Sequence, residues 1–289
     1  MKSARSAFTL PELLTVLAVV VVLAAILFPV FRSAKASAYR TTCASNFRQV
    51  QIATLMYLND YDDRFMPVNH FPALAPNPKI DRTWVQLLLP YVASFPLFKC
   101  PSDYARNADS EGVFDESLVL GDTHMRYYYS SLRVNVGYNY LYYSPVLNNG
   151  AGWEVQTRSL SQVNDAARAL LFVDSVYGRT KSGAPYGGGS YVVIPPCRFY
   201  RQGRFLIDSF DLPRGADVFV ANRGWNVEDP NSPFRFGLAW PWHDGRMNMA
   251  RVGGGTISIT TDILAAGCDL KPNWMGIIDD NGVYFWDWN

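Results

Sequence analysis

Residues 8–31 read FTLPELLTVLAVVVVLAAILFPVF, and this stretch decides the architecture. From Leu13 to Phe31 the only polar side chain is that of Thr15. At 1.5 Å rise per residue, such a run is long enough to cross a hydrocarbon layer of about 30 Å as a helix. It exceeds the roughly 7–15-residue apolar core of an ordinary secretory signal. The residues before it, MKSARSA, carry Lys2 and Arg5 and no acid. Glu12 is the anomaly. A carboxylate at the centre of a bilayer helix costs on the order of 3 kcal/mol, and less near an end, where Glu12 stands. One account of Glu12 is a first-turn acid favoured by the helix dipole.

The helical pattern does not stop at Phe31. Tyr39, Cys43, Phe47, Val50, Thr54, Tyr57 and Tyr61 recur at steps of three and four, which is one stripe of a helix. No Pro or Gly interrupts residues 30–63. The expectation is one helix from Phe8 to about Asp60, roughly 80 Å long. Its first part, residues 8–31, is apolar all round and transmembrane; its second part is amphipathic. Residues 1–7 then form a leader, residues 8–63 the helical unit, and residues 64–289 a globular head.

The head is rich in turns. The chain holds 21 Gly and 18 Pro, spread throughout, and its hydrophobic fraction of 49% is enough for a sizeable core. Trp84 to Tyr91 reads as a short helix, and Lys99-Cys100-Pro101-Ser102 as a turn. Strands are expected over residues 127–136, 169–173, 191–194, 217–221, 246–252, 256–260 and 283–286. Each is β-branched or aromatic and bounded by Gly, Pro, Asn or Asp. The fold class is α+β: a long N-terminal helix packed on a mainly antiparallel β-sheet head.

Ala7 followed by Phe8-Thr9-Leu10-Pro11-Glu12-Leu13 resembles the processing motif of type IV prepilins and type II secretion pseudopilins. In that family a small residue precedes the scissile bond, Phe follows and becomes N-methylated, and Glu is fifth in the mature chain. The resemblance maps these roles onto Ala7, Phe8 and Glu12, with Ala7 departing from the usual Gly. Pro29 stands where many pilins also carry a helix-loosening Pro. The resemblance implies a pilin-like fold and a filament subunit processed by a prepilin peptidase. The implied partners are that peptidase, an inner-membrane assembly platform, membrane lipid, and copies of itself or other pilin-like subunits. It also implies a cytoplasmic leader and an external head, periplasmic or on a surface filament after assembly. Flanking charge alone leaves orientation open, since Lys2 and Arg5 face Arg32, Lys35 and Arg40 across the span.

Segments of the head are similar to a large planctomycete-type pilin-like family with a C-terminal H-x9-DG element. These are residues 43–49 (CASNFRQ), 84–91, 98–103 (FKCPSD), 137–139, 169–174 (ALLFVD) and 242–248 (WHDGRMN). Where the element's DG should follow, this chain has Gly253-Gly254, so the Asp is missing.

Four cysteines outside the cytoplasm allow three full disulfide pairings. The expected one joins Cys43 to Cys100, tying helix to head, and Cys197 to Cys268; the alternative is buried free thiols. None forms a C-x-x-C pair, which argues against zinc ribbons. His70, His124 and His243 are far apart, and no H-E-x-x-H, G-x-S-x-G or P-loop occurs, so no enzyme is expected. With 26 basic and 25 acidic side chains, the chain has no bulk attraction for nucleic acid. No cofactor is expected, with one weak candidate: Asp279, Asp280 and Asn281 as calcium ligands, against a plain Asp-Asn-Gly turn. Trp274, Trp286 and Trp288 are candidates for stacking on sugars, against core packing. The rival to a filament subunit is therefore a membrane-anchored binding protein that never polymerises, with polysaccharide as its ligand. A conventional signal peptide cleaved after Ala34-Lys35-Ala36 is a further alternative.

Overall fold

The structure is a computed structural model. It describes residues 9–70, 77, 80–92, 94–105, 123–148, 153–180, 183–200, 217–218, 235–270 and 276–286. Helix α1 runs unbroken from Leu10 to Asp60, 51 residues, with Thr9 at its N-cap. Pro29 sits inside it; its missing N–H leaves one rung of the hydrogen-bond ladder unmade without ending the helix. The helix has two halves. Every large apolar side chain from Leu10 to Phe31 is more than half exposed. From Cys43 onward one face is buried: Cys43, Phe47, Val50, Gln51, Ala53, Thr54, Tyr57 and Leu58. The expected stripe is thus buried from Cys43 to Tyr57. Tyr39 is half-buried, and Tyr61 is exposed, stacked on Tyr57 with ring centroids 4.1 Å apart.

The buried half of α1 packs on a four-stranded antiparallel sheet. Its strands are β1 (Val136–Tyr138), β2 (Leu170–Asp174), β3 (Met247–Arg251) and β4 (Thr256–Ile259), in the spatial order β4-β3-β2-β1. Gly137, Val173, Met249 and Ile257 form one cross-strand row. Gly137 must be glycine. A Cβ there would lie 2.4 Å from Val193 Cγ1 and 2.9 Å from Ser175 Cβ. Every residue of β2 is buried, as expected for a central strand covered on both faces.

Helix α2 (Trp84–Leu88) continues as a 3₁₀ turn over Leu89–Tyr91, matching the helix read from sequence. Its first residue, Trp84, is the hub of the core. The indole stacks on Phe172 at 5.0 Å between centroids and meets Tyr138 and Phe98 at 5.6 and 5.8 Å. Its Nε1–H donates to the Tyr191 carbonyl at 2.7 Å. The polar edge is therefore satisfied while the ring is fully buried.

Three expected strands differ. The first half of residues 127–136 is helical: α3 spans Thr123–Ser131, and only Val136 begins a strand. The Tyr127-Tyr128-Tyr129 run favours half-buried surfaces, and α3 supplies one by packing on α2. At its end Ser131 Oγ donates to the Tyr128 carbonyl and accepts from Thr83 Oγ1. Residues 191–194 run beside β1 but pair through a single parallel bridge, Tyr138 with Val192. Residues 283–286 form no strand. Tyr284 and Trp286 are buried alternately, as on a strand, yet the backbone engages the core through single bonds such as Leu170 N–H to the Phe285 carbonyl, 2.7 Å. Of residues 217–221, Asp217 and Val218 form a short strand, and the remainder lies outside the described residues. A strand absent from the expectation, Gly276–Ile278, pairs in parallel with Cys197–Tyr200 and antiparallel with Cys268–Asp269.

Candidate functional site

Two places combine chemistry with position: the start of α1 and the junction where α1 enters the head. At the start, the Thr9 N–H donates to Glu12 Oε2 at 2.8 Å, and the Thr9 hydroxyl donates to the same oxygen at 2.7 Å. This is a capping box, which satisfies helix N–H groups that have no intrahelical partner. Glu12 is exposed, and α1 is the one described helix long and apolar enough to cross a membrane. Ala7 and Phe8 lie outside the described residues.

At the junction, Cys43 of α1 and Cys100 are joined by a disulfide, with Cα atoms 5.3 Å apart. The loop carrying Cys100 is held by its own polar chain. The Cys100 N–H donates to Asn135 Oδ1 at 2.9 Å, and Asn135 Nδ2 donates to Asp103 Oδ2 at 2.8 Å. Asn46, one turn along α1, donates to the Lys99 carbonyl at 3.3 Å. The short 3₁₀ helix Phe95–Phe98 brings this loop onto α1.

His243 lies against that disulfide. Its Nε2 is 3.7 Å from Cys100 Sγ, 3.3 Å from Asp174 Oδ2 and 3.1 Å from Asn248 Nδ2. Its Nδ1 is 3.3 Å from Ser102 Oγ. His243 opens a two-residue hairpin, Asp244-Gly245, with positive φ at both turn residues. That turn aims the imidazole away from Asp244 and into the sheet, where β2 ends at Asp174. Asp174 is fully buried, and burial raises its carboxyl above the usual range, opposed by hydrogen bonds from His243 and Asn248. The Asn248 N–H donates to its Oδ2 at 2.6 Å, whereas its Oδ1 is buried with no hydrogen-bond partner among the described residues.

The other candidates fall elsewhere. Cys197 and Cys268 form a second disulfide, Cα atoms 5.8 Å apart. Asp279, Asp280 and Asn281 lie in a turn in which Asp280 Oδ1 accepts the Gly282 N–H at 2.8 Å. That turn offers two carboxylates and an amide towards the six to eight oxygens calcium takes. Trp286 is fully buried and donates Nε1–H to the Leu264 carbonyl at 2.8 Å, so it is a core residue and presents no face to a sugar. Trp274 and Trp288 lie outside the described residues. His124 donates to the Asp81 carbonyl at 2.8 Å, and His70 is exposed at the end of a two-residue strand.

Among the described residues, the group of His, Cys, Asp or Glu side chains with ligand atoms mutually close is Cys43, Cys100 and His243. Sequence reasoning singled out all three, but separately. It missed Asp174, whose signal was faint: an acid closing an apolar strand run, at a position that burial makes conspicuous. No protein-family model, no curated protein and no solved structure matches this chain.

Proposed function

We propose that the chain is a structural subunit of a type IV pilus-like or type II secretion pseudopilus filament. The observation that carries this is the division of α1: one continuous helix, exposed and apolar through Phe31, embedded in a head from Cys43. An exposed apolar helix of that length needs lipid or other such helices around it. A bundle of copies satisfies it after extraction from the bilayer. The prepilin-like residues support the same reading. A prepilin peptidase would cut between Ala7 and Phe8 and methylate the new amino group of Phe8. That cation would then attract Glu12 of a neighbouring subunit, drawing it from its contact with Thr9. In a low-dielectric helical core an unpaired charge is costly, so such a pair would set axial register.

A Glu12→Ala chain tests the reading. It should fold its head normally and enter sheared surface filaments poorly; normal incorporation overturns the pairing.

The capping box favours a second reading, because it gives Glu12 a role that needs no neighbour. Here the chain is a membrane-anchored extracytoplasmic binding protein that does not polymerise. Mass spectrometry of the mature N-terminus separates the two. N-methyl-Phe8 supports the filament subunit, and an intact Met1 supports the plain anchor.

A further inference from the structure

The geometry points to a zinc site at the helix–head junction, formed when the Cys43–Cys100 disulfide is opened to its two thiols. Its ligands are Cys43, Cys100, His243 and Asp174, and this inference does not depend on the filament reading. All four residues are buried, at 0–5% exposure. They come from four separate places: α1, the loop after Phe98, the Asp244-Gly245 hairpin and the end of β2.

Two edges, both at His243 Nε2, already match a tetrahedral zinc shell, whereas Asp174 stands outside the mutually close set of Cys43, Cys100 and His243 and must swing towards the sulfurs. Zinc bonds of about 2.3 Å to sulfur and about 2.0–2.1 Å to nitrogen or oxygen give ligand–ligand edges of roughly 3.6 Å for S–N and 3.4 Å for N–O. His243 Nε2 lies 3.7 Å from Cys100 Sγ and 3.3 Å from Asp174 Oδ2. The edges that must change are S–S, which reduction frees to open to about 3.8 Å, and those from Asp174 to the two sulfurs, all adjustable by side-chain rotation.

The surroundings also fit. A ligating His usually gives its second ring N–H to an outer partner, and Nδ1 has Ser102 Oγ at 3.3 Å. Asp174 Oδ2 is oriented by the Asn248 N–H, while Oδ1 is buried without a partner among the described residues. Two thiolates with an imidazole and one carboxylate select zinc over calcium or magnesium. The redox step is a plain exchange. A dithiol reductant gives two electrons and two protons to the disulfide and leaves as its own disulfide, yielding two cysteine thiols. Zinc then displaces both thiol protons. The metal would thus clamp helix to head in the dithiol state, as the covalent bond does in the oxidised state.

The test uses the full chain in detergent micelles. It is reduced with dithiothreitol, desalted without oxygen, and titrated with Co²⁺ and then Zn²⁺ against a chromophoric chelator. Expected is one metal per chain, with a thiolate-to-cobalt charge-transfer band that zinc abolishes, and no such band in the oxidised chain. His243→Gln and Asp174→Asn should each weaken affinity by at least about 10-fold, and Ser102→Ala by about 10-fold. Because the buried variants could misfold, X-ray absorption of the wild-type zinc form supplies an independent readout: two sulfur and two nitrogen or oxygen ligands. Absence of stoichiometric binding by the reduced chain overturns the proposal. So does equal binding by the oxidised chain, a shell of four sulfurs, which would bring in Cys197 and Cys268, or undiminished binding by the Cys43→Ser, Cys100→Ser chain, which would place the metal on those two alone.

Discussion

The side-chain amide of Gln51, on the buried half of α1, donates to the backbone carbonyl of Arg251 at the end of β3, 200 residues further along the chain. Gln51 is only 3% exposed, so this polar group has left water and depends on that acceptor. The contact pins the helix to one position along the sheet. Gln51→Leu keeps the volume and removes the donor, leaving Arg251 its 3.3 Å bond from the Gly254 N–H. The expected loss is about 1–2 kcal/mol, read as a lower urea midpoint with unchanged slope.

Trp84 is the largest side chain at the centre of the core, touching Phe98, Tyr138 and Phe172 at once. Trp84→Ala should cost about 3–5 kcal/mol. Trp84→Phe should cost less, since it keeps the ring stack and loses the bond to the Tyr191 carbonyl. Equal midpoints for the two variants would show that the indole N–H, not packing, dominates.

Alkaline stability should report on the end of α1. Burial pushes the Tyr57 hydroxyl up to about 12, with Tyr61 and Tyr91 beside it adding to the shift. The unfolded phenol titrates near 10. A raised folded value means the stabilising contribution is full below pH 10 and is lost as pH rises through about 12. Unfolding free energy should therefore fall over that window, and Tyr57→Phe should make the fall shallower. An identical pH profile for that variant would assign the loss to other groups.

The Cys43–Cys100 bond closes a loop 57 residues long in sequence. Loop-closure entropy assigns such a link about 4 kcal/mol, an upper figure because unfolded chains are not random. The double variant Cys43→Ser, Cys100→Ser should lower stability by about 2–4 kcal/mol in equilibrium unfolding. Proteolysis should then cut first near residues 99–105, whose loop loses its tie to α1.

What could be read in the sequence followed from repetition. Steps of three and four from Tyr39 to Tyr61 exposed the helical face, because a helix brings such residues together whatever lies around it. The stripe missed Ala53 and Leu58, which widen the buried face, and Gln51, whose burial requires a carbonyl that only the folded sheet supplies. The aromatic run at Tyr127–Tyr129 misled because strand preference measures a half-buried surface, and a helix also provides one. Asp174 and His243 stand 69 residues apart, and no periodicity links them; β2 and β3 must pair before they meet. The direction that the Asp244-Gly245 turn gives His243 depends on the sheet behind it.

The disulfide at Cys43 sits where α1 passes from its bare half to its embedded half. Tension applied to the head, with the segment before Phe31 held fast, arrives first at this point. A covalent tie placed there carries the load at the near edge, so the helix–sheet seam beyond it is not peeled open residue by residue. The head is hung from its helix as from a riveted bracket, and the strain passes into the loop around Cys100 and the Asn135–Asp103 contacts that brace it.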